Sequence, residues 1–317
     1  MAEPLVCFVG CGAICAAHVK RLRGRVRMKF HSRSGASSAT MNEQAGGEGV
    51  YPTYDAVISD QAVDAIVITS PPAAHAVQVV AGLESGKVVL VEKPMCVDRE
   101  ELEVIGRAPT DRLMVAENYD FKPSLETLRS WVVSGEVGTV ERIQLRKCTM
   151  HSGAGWWSGH GALIEGGIHF VALLTSLASN NVVEVRARFP GYPEKDPERH
   201  VVLDVEFENG IYGELEYGWD TPSLTKGTFQ HSTIVGSEGR IVFESNGIYA
   251  HLSGRRRALS FPGFSDLLGY GAMMDEFIAV TQGGQTRSGY VKARQDLDVV
   301  FRAYDTLPKA LDASPGR

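Results

Sequence analysis

The chain has 317 residues, of which 44% are hydrophobic and 22% are charged, with a formal net charge of −6. At roughly 150 residues per domain, this length predicts about two domains with their own cores, and the composition excludes a disordered chain. The mildly acidic balance argues against general binding to nucleic acid or to a membrane surface.

No apolar run approaches the roughly 20 residues that a membrane span needs, and the start of the chain lacks the features of a signal peptide. The five cysteines are an odd number, and three of them lie between positions 7 and 15, which is not the pattern of a disulfide framework. Because no histidine joins these three at a known ligand spacing, we expect no metal. We therefore expect a reduced, cytoplasmic protein.

The first 118 residues alternate between two kinds of segment. Helices are predicted over 73–84 and 99–107, and short apolar runs predict strands at 5–9, 26–30, 65–69, 88–91 and 113–116. This alternation is typical of βαβ units around a parallel sheet.

The pattern changes after residue 118. We predict helices over 124–133, 168–177, 272–281 and 294–311, and a mostly antiparallel sheet between 182 and 262, where polar and apolar residues alternate. Asn209-Gly210 separates two such alternating runs and predicts a hairpin.

The first chemical motif lies between the first predicted strand and the first helix. Gly10 permits a tight turn, Gly12 lets the backbone approach phosphates, and Cys15 replaces the third glycine of the dinucleotide fingerprint with another small side chain. A pyrophosphate here would meet the backbone at the helix N-terminus, at Ala13 and Ile14. The alternative is an ordinary strand–helix turn.

The second motif concerns the choice of coenzyme. The fingerprint expects an acid about 20 residues after the glycines, but the chain has no Asp or Glu from Pro4 to Asn42, and Ser32 and Arg33 occupy the expected place. A missing carboxylate with Ser and Arg favours a 2′-phosphate, and therefore NADP(H) over NAD(H). We assign the other basic residues of this stretch to a solvated face.

Two further motifs could supply proton chemistry. Glu92-Lys93-Pro94 follows a buried strand, at the edge of the sheet where ligands of α/β folds bind, and its proline could form a cis peptide. Taken alone, Lys93 could equally be a surface lysine.

Glu165 and His169 are four residues apart at the start of an apolar helix, which suits a proton donor beside an orienting carboxylate. The alternative is a buried histidine satisfied by the neighbouring glutamate.

Taken together, the chain resembles the glucose-fructose oxidoreductase/inositol dehydrogenase/rhizopine-catabolism (Gfo/Idh/MocA) family of nicotinamide-dependent oxidoreductases, nearly from end to end. The motifs that carry the resemblance are the glycine turn ending at His18, Thr69-Ser70-Pro71-Pro72-Ala73-Ala74-His75, Glu92-Lys93-Pro94, Glu117-Asn118, and the glycine-rich run ending at His169.

The resemblance implies an α/β fold of two domains. Residues 1–118 would form a Rossmann domain with a doubly wound parallel sheet, and residues 119–317 an α/β domain with a large, open, mostly antiparallel sheet. That sheet often forms the oligomer interface in the family, so we expect a homodimer or homotetramer. A C-terminal helix at about 291–311 would pack back on the first domain.

The resemblance also implies site residues. The family's lysine, aspartate and histidine correspond to Lys93, Glu165 and His169, so the glutamate is a departure, and a second family acid is replaced by Ala172. The expected coenzyme contacts beyond the glycine turn are Ser70, Pro71, His75, Glu92, Lys93 and Asn118. The expected substrate contacts are Tyr119, Lys122, Trp156, Trp157, His160, Glu165 and His169.

We expect an NADP(H)-dependent oxidoreductase that acts on the CH–OH or carbonyl group of a sugar, amino sugar, keto-sugar or cyclitol-like molecule. His169 would transfer the hydroxyl proton, Lys93 would stabilise charge on the oxygen, and Glu165 would hold a neighbouring group of the substrate. The alternative is a regulatory protein of the same fold that binds the dinucleotide without turnover.

Overall fold

The computed structural model describes residues 3–151 and 159–307. These residues divide into two compact units. Unit 1 comprises the described residues up to Glu126 together with Gly263–Gln295, and unit 2 comprises Thr127–Pro262 together with the described residues from Asp296 on. Within these ranges, no helix is both long enough and apolar enough to cross a membrane.

Unit 1 contains a parallel sheet of five strands in the order β2-β1-β3-β4-β5. The strands are Leu5–Val9 (β1), Arg27–His31 (β2), Ala65–Ile68 (β3), Val88–Val91 (β4) and Leu113–Val115 (β5). Every residue of β1, β3 and β4 is buried, as expected for parallel strands covered on both faces. The predicted α/β fold with a parallel N-terminal sheet is confirmed.

Strand β2 lies at the edge of this sheet and runs one residue later than predicted. Exposed Arg27 and half-buried Lys29 alternate along it with buried Met28 and Phe30. The alternation shows that one face of this last strand of the sheet is open to solvent, which accounts for basic residues in a strand.

The helices predicted over 73–84, 99–107, 124–133, 168–177 and 272–281 are all present, with ends within two residues of the prediction. The helices of the described chain are Ala13–Leu22 (α1), Gly35–Ala45 (α2), Tyr54–Ser59 (α3), His75–Glu84 (α4), Arg99–Gly106 (α5), Pro123–Val133 (α6), Ile168–Ala178 (α7), Tyr270–Thr281 (α8) and Tyr290–Tyr304 (α9).

Helix α9 differs from the prediction of 294–311. It begins four residues earlier, because buried Tyr290 and Ala293 extend the helical spacing of the buried residues Leu297 and Val300 towards the N-terminus. It ends at Tyr304. The predicted extension also passes through Pro308 in the sequence, and a helix interior does not accommodate proline.

Unit 2 contains an eight-stranded sheet in the order β13-β12-β11-β10-β6-β9-β8-β7. Its strands are Val140–Cys148 (β6), Val182–Arg188 (β7), His200–Phe207 (β8), Tyr212–Gly218 (β9), His231–Gly236 (β10), Gly239–Glu244 (β11), Ala250–Ser253 (β12) and Arg257–Ser260 (β13). Only the β6–β9 pair is parallel. The predicted hairpin joins β8 to β9, with Gly210 at a φ of 82°. The mostly antiparallel second sheet is thus confirmed.

The two faces of this sheet differ in character. Helix α7 packs against β6 and β9 on the apolar face and buries ten of its eleven residues. The opposite face carries cross-strand ion pairs, including Arg142 with Glu214 and Arg186 with Glu206. Unit 2 therefore presents a polar sheet surface opposite its helix-covered core.

Candidate active site

The glycine turn after β1 is closely packed on one side and open on the other. Gly10 has a φ of 92°, and a Cβ added there would lie 2.6 Å from the backbone nitrogen of Ser70. The Thr69 hydroxyl donates to the Gly10 carbonyl at 2.5 Å. A Cβ added at Gly12 would meet no atom of the described residues within 4 Å. Gly10 is therefore required by packing, whereas Gly12 leaves space in front of helix α1.

The N-terminus of α1 faces this space. No acidic residue occupies its first turn, and Gly12 provides no side-chain cap. The first N–H groups of a helix have no intrahelical acceptor, and the helix dipole favours an anion there. The space at Gly12 together with this helix end fits a pyrophosphate, with Ala13 and Ile14 in the first turn as predicted.

One cysteine lies in this turn and a second in the first turn of α1. Cys11 is half-buried and Cys15 is fully buried, in the position of the third fingerprint glycine. A hydrogen bond from the Cys15 thiol lowers the pKa of Cys11, and the same contact together with burial raises the pKa of Cys15. Cys11 is thus the more acidic thiol of the pair.

Ser32 and Arg33 directly follow β2, and helix α2 begins two residues later at Gly35. Basic residues nearby have carboxylate partners: Arg25 with Asp275 at 2.6 Å, Arg27 with Glu48 at 2.7 Å and Lys29 with Asp60 at 3.8 Å. Exposed Arg33 has no carboxylate partner within the part of the chain that the structure describes. Of these four basic residues, Arg33 is the one that has no acidic partner among the described residues.

His75 is enclosed between two turns. It is 1% exposed, with Nδ1 2.8 Å from the Pro94 carbonyl oxygen and Nε2 2.9 Å from the Ser70 carbonyl oxygen. Burial lowers the pKa of this imidazole. Both ring nitrogens thus face protein carbonyls, and the imidazole holds the two turns together. The expected contact between His75 and the coenzyme stays a prediction. Pro71, next to Ser70, is exposed.

The Glu92-Lys93-Pro94 turn follows β4, and the Lys93–Pro94 peptide is cis, as the sequence suggested. Glu92 Oε1 lies 2.6 Å from Nε2 of buried His18, and Glu92 Oε2 accepts a hydrogen bond from the Lys93 backbone N–H at 3.2 Å. Lys93 itself is half-buried. Glu92 thus joins the lysine's backbone to helix α1.

The segment after β5 holds three more predicted residues. Asn118 is buried and donates through Nδ2 to the Leu268 carbonyl at 2.7 Å. The Lys122 ammonium lies 4.1 Å from the centroid of the Tyr119 ring, and the lysine is only 2% exposed. Its burial against Tyr119 makes Lys122 a less accessible substrate contact than the sequence predicted.

In unit 2, a π-helical turn at Leu163–Gly167 leads into α7. Such turns are frequent at functional sites. A Cβ on Gly166 would lie 2.0 Å from the Tyr217 hydroxyl, so the turn packs directly on β9. Glu165 is 3% exposed, and half-buried His169 is the one residue of α7 that is not buried. The imidazole can therefore be reached while the rest of its helix is in the core.

Glu198 and Tyr304 were not predicted and anchor the start of this segment. Glu198 Oε1 accepts from the Leu163 N–H at 2.8 Å and from the Tyr304 hydroxyl at 3.0 Å, and that hydroxyl accepts from the Ile164 N–H at 3.2 Å. Burial raises the pKa of Glu198 to about 7. A Cβ on Gly161 would overlap the Glu198 carboxylate. No local motif marks these residues, since their partners are 35 and 140 positions away.

Two predicted substrate contacts, Trp156 and Trp157, lie outside the described residues. His160, at the edge of that gap, is half-buried.

Two family models match this chain. A family model described as an oxidoreductase family with an NAD-binding Rossmann fold matches residues 5–115, and a model of the GFO/IDH/MocA C-terminal domain matches residues 125–242. The chain belongs to the Gfo/Idh/MocA family of oxidoreductases. The NAD-binding Rossmann fold of unit 1 is a property of that family, as the sequence analysis inferred.

Individual Gfo/Idh/MocA proteins are similar to this chain. Inositol 2-dehydrogenase of Corynebacterium glutamicum is 28% identical over 223 residues, which are 66% of this chain, and the chain spans 65% of that protein's length. Inositol 2-dehydrogenase 2 of Saccharopolyspora erythraea is 26% identical over 90% of this chain and 88% of its own length. A levoglucosan dehydrogenase solved with NADH and levoglucosan has a TM-score of 0.85 and 18% identity, covering 96% of this chain and 97% of its own.

Proposed function

We propose that this protein is an NADP(H)-dependent oxidoreductase that transfers a hydride between the nicotinamide and a carbinol or carbonyl carbon. The observation that carries the proposal is the pair Gly10 and Gly12. The first is packed so closely that only glycine fits, and the second leaves a space at the N-terminus of α1 that suits a pyrophosphate.

The preference for the phosphorylated coenzyme rests on Ser32 and Arg33. Neither is accompanied by an acid at the end of β2, and the guanidinium of Arg33 is the charge that a 2′-phosphate would pair with. Helix α2, whose first turn holds no acidic residue, begins directly afterwards and adds N–H donors with the same preference for an anion.

The chain's own residues would handle the proton. When bound, the nicotinamide supplies or accepts the hydride. His169 gives or takes the hydroxyl proton, because it is the half-buried residue of α7 and an imidazole is the most frequent proton donor and acceptor in enzymes. Lys93 stabilises negative charge on the substrate oxygen. Glu165 orients a neighbouring hydroxyl or amine, and as a glutamate it reaches one methylene further than the family's aspartate.

We propose a polyhydroxylated substrate of the sugar or cyclitol class. Relatives carry the names inositol 2-dehydrogenase and levoglucosan dehydrogenase, so a cyclitol and an anhydrosugar are their named substrates. Amino sugars and keto-sugars belong to the same proposal, with Tyr119, Trp156, Trp157 and His160 as further contacts. Ala172, fully buried in α7, supplies no acid, which argues for a substrate different from that of members with one there.

We also propose a homodimer or homotetramer that assembles through the eight-stranded sheet. The face opposite α7 carries charged residues of several strands, some of them in cross-strand ion pairs, which suits a polar, self-complementary contact.

The test measures coenzyme affinity and turnover in the same protein. Fluorescence titration of NADPH and NADH is compared for the wild type, Arg33→Ala and the matched control Arg27→Ala. We expect Arg33→Ala to lower the affinity for NADPH by about 10- to 100-fold, because one charge-assisted contact is lost. The affinity for NADH should stay unchanged. Arg27→Ala should change neither. Equal losses for both coenzymes or in both variants would contradict the NADP assignment.

Turnover is assayed as NADPH consumption over a panel of keto-sugars and inosose-type carbonyl compounds. We expect Lys93→Met and His169→Ala to lower turnover by about 100-fold or more with NADPH affinity retained. Coenzyme binding without turnover on any member of the panel would instead support the regulatory alternative. If neither coenzyme binds, both readings are wrong.

A further inference from the structure

We propose that Cys148, His200 and Glu216 form a binding site for a divalent transition metal of the zinc type on the sheet of unit 2. One potential ligand atom from each of these residues lies within 4.8 Å of the other two. They supply a thiolate, an imidazole and a carboxylate, a donor set that suits zinc, cobalt or nickel better than calcium or magnesium. The proposal does not depend on the coenzyme or on the proposed reaction.

The sheet register brings the three side chains together. Cys148 ends β6, His200 begins β8, and Gly218 of β9 pairs with both of them. Glu216 lies two residues before Gly218 and therefore on the same face. A Cβ on Gly218 would come within 3.1 Å of His200 Nδ1, so the glycine leaves room between the thiol and the imidazole. The sequence predicted no metal because the N-terminal cysteines show no ligand spacing. That prediction did not consider Cys148, His200 and Glu216, which are 52 and 16 positions apart and form no local motif.

The spacing of two of the ligand atoms already matches a metal centre. His200 Nε2 lies 3.4 Å from Glu216 Oε1. With metal–ligand bonds of about 2.0–2.1 Å, tetrahedral coordination places neighbouring N and O ligands about 3.3 Å apart. These two atoms can bind one ion without separating, and the thiolate and one water would complete four ligands.

The remaining atoms of the ligands are held as they are around metal centres. His200 Nδ1 lies 3.1 Å from Asp220 Oδ1, the carboxylate–histidine pair that fixes the tautomer and orientation of a metal-bound imidazole. Asp220 Oδ2 pairs with Lys195 at 2.6 Å, and Glu216 Oε2 lies 3.1 Å from Arg146 Nε. His200 and Glu216 thus each turn one atom towards the cluster, while the other polar atom of the side chain already has a partner.

A thiolate and a carboxylate would offset the two charges of the ion, and Asp220 offsets Lys195 outside the site. Arg146, which pairs with Glu216, adds one positive charge beside the site. Binding would release one proton, from the Cys148 thiol, because the thiolate is the ligand form. No oxidant or reductant is needed. The ion would join three adjacent strands, β6, β9 and β8, and stabilise the polar face of the sheet.

The experiment uses the full chain, freed of metal with a chelator and titrated with Co²⁺ and then Zn²⁺. We expect one equivalent of Co²⁺ to produce the near-ultraviolet charge-transfer absorption of a thiolate–cobalt bond, and Zn²⁺ to displace it. Zn²⁺ should also raise the midpoint of thermal unfolding, since it binds the folded chain.

Three variants and a control separate this site from adventitious binding. Cys148→Ser should abolish the charge-transfer absorption, His200→Ala should abolish tight binding, and Asp220→Asn should weaken it by about 10- to 100-fold. His251→Ala, an exposed histidine on β12 of the same sheet, should change nothing. Circular dichroism checks that each variant is folded.

The proposal is overturned if Co²⁺ binding does not saturate at one equivalent. It is equally overturned if Cys148→Ser keeps the absorption, or if His251→Ala lowers affinity as much as Asp220→Asn does. Should His200→Ala fail to fold, the Asp220→Asn affinity and the Cys148→Ser spectrum still decide the question.

Discussion

The imidazole Nε2 of His18 and the carboxylate Oε1 of Glu92 lie 2.6 Å apart. His18 is completely buried in α1, and Glu92 belongs to the turn after β4, so the contact joins two segments that are 74 positions apart. The second Glu92 oxygen accepts the Lys93 backbone N–H. The pair therefore holds the backbone of the proposed catalytic lysine against the helix that follows the glycine turn.

Removing this contact should misplace Lys93. We expect Glu92→Ala to lower turnover by about 10- to 100-fold, because catalysis is sensitive to small misplacements of a catalytic group. Glu92→Gln, which can still contact His18, should recover most of the activity. Steady-state kcat measures the effect, and circular dichroism confirms folding. Equal activity of the wild type and Glu92→Ala would show that the pair does not position the lysine.

The two glycines of the turn should respond differently to alanine. At Gly10, the positive φ and the overlap of a Cβ with the Ser70 backbone predict a loss of about 1–3 kcal/mol in the free energy of unfolding. Gly12→Ala should cost less than about 1 kcal/mol, since its Cβ meets open space. It should nevertheless weaken coenzyme binding. Urea unfolding measures the loss of stability, and coenzyme titration measures the loss of affinity. If both variants lose the same stability and the same affinity, the separate roles of Gly10 and Gly12 are wrong.

Cys11 should be the most reactive thiol of the native protein. The hydrogen bond from Cys15 lowers the pKa of Cys11, whereas burial raises the pKa values of Cys7 and Cys96. We expect iodoacetamide to label Cys11 first, and saturating NADPH to slow that labelling, because Cys11 lies in the proposed phosphate turn. Peptide mass spectrometry gives the rates. Cys11→Ser is the control and should lose the fast reaction, and labelling that is indifferent to coenzyme would contradict the proposal.

Glu198 should make stability depend on pH. Burial raises its pKa to about 7 in the folded chain, whereas an unfolded glutamate titrates near 4.3. Between these values the folded state keeps a proton that the unfolded state releases. This contribution to stability is fully present below the unfolded pKa and is lost as pH rises through the folded pKa, by up to about 4 kcal/mol.

The variant Glu198→Gln should remove this contribution. Urea unfolding of both proteins between pH 4.5 and 8 should show the wild type losing stability relative to the variant as pH rises. Tyr304→Phe is the companion control, since it removes the hydroxyl partner but leaves the carboxyl group to titrate. Parallel curves for the wild type and Glu198→Gln would show that the carboxyl group titrates normally.

Much of the fold could be predicted because it is encoded in short stretches of sequence. The continuous apolar runs of β1, β3 and β4 predict strands buried on both faces, and Asn209-Gly210 predicts the turn between β8 and β9. Helix α2 has few large apolar residues and helix α3 is only six residues long, so neither leaves a clear periodic signal. Whether β2 is an edge or an interior strand was also not apparent, because strand order depends on connections between distant segments.

The amino-acid sequence by itself determined the parallel and antiparallel sheets, the glycine turn, the absence of an acid before Arg33 and the family. All of these depend on residues near one another in the chain. The steric preferences and charges of such a short segment do not depend on where the segment lies in the folded protein. Only the tertiary structure decided that His75 is enclosed by two carbonyls, that Glu198 and Tyr304 anchor the start of the helix carrying His169, and that Cys148, His200 and Glu216 meet. Those contacts join residues 5 to 140 positions apart, and their burial and geometry exist only once the strands and helices have packed.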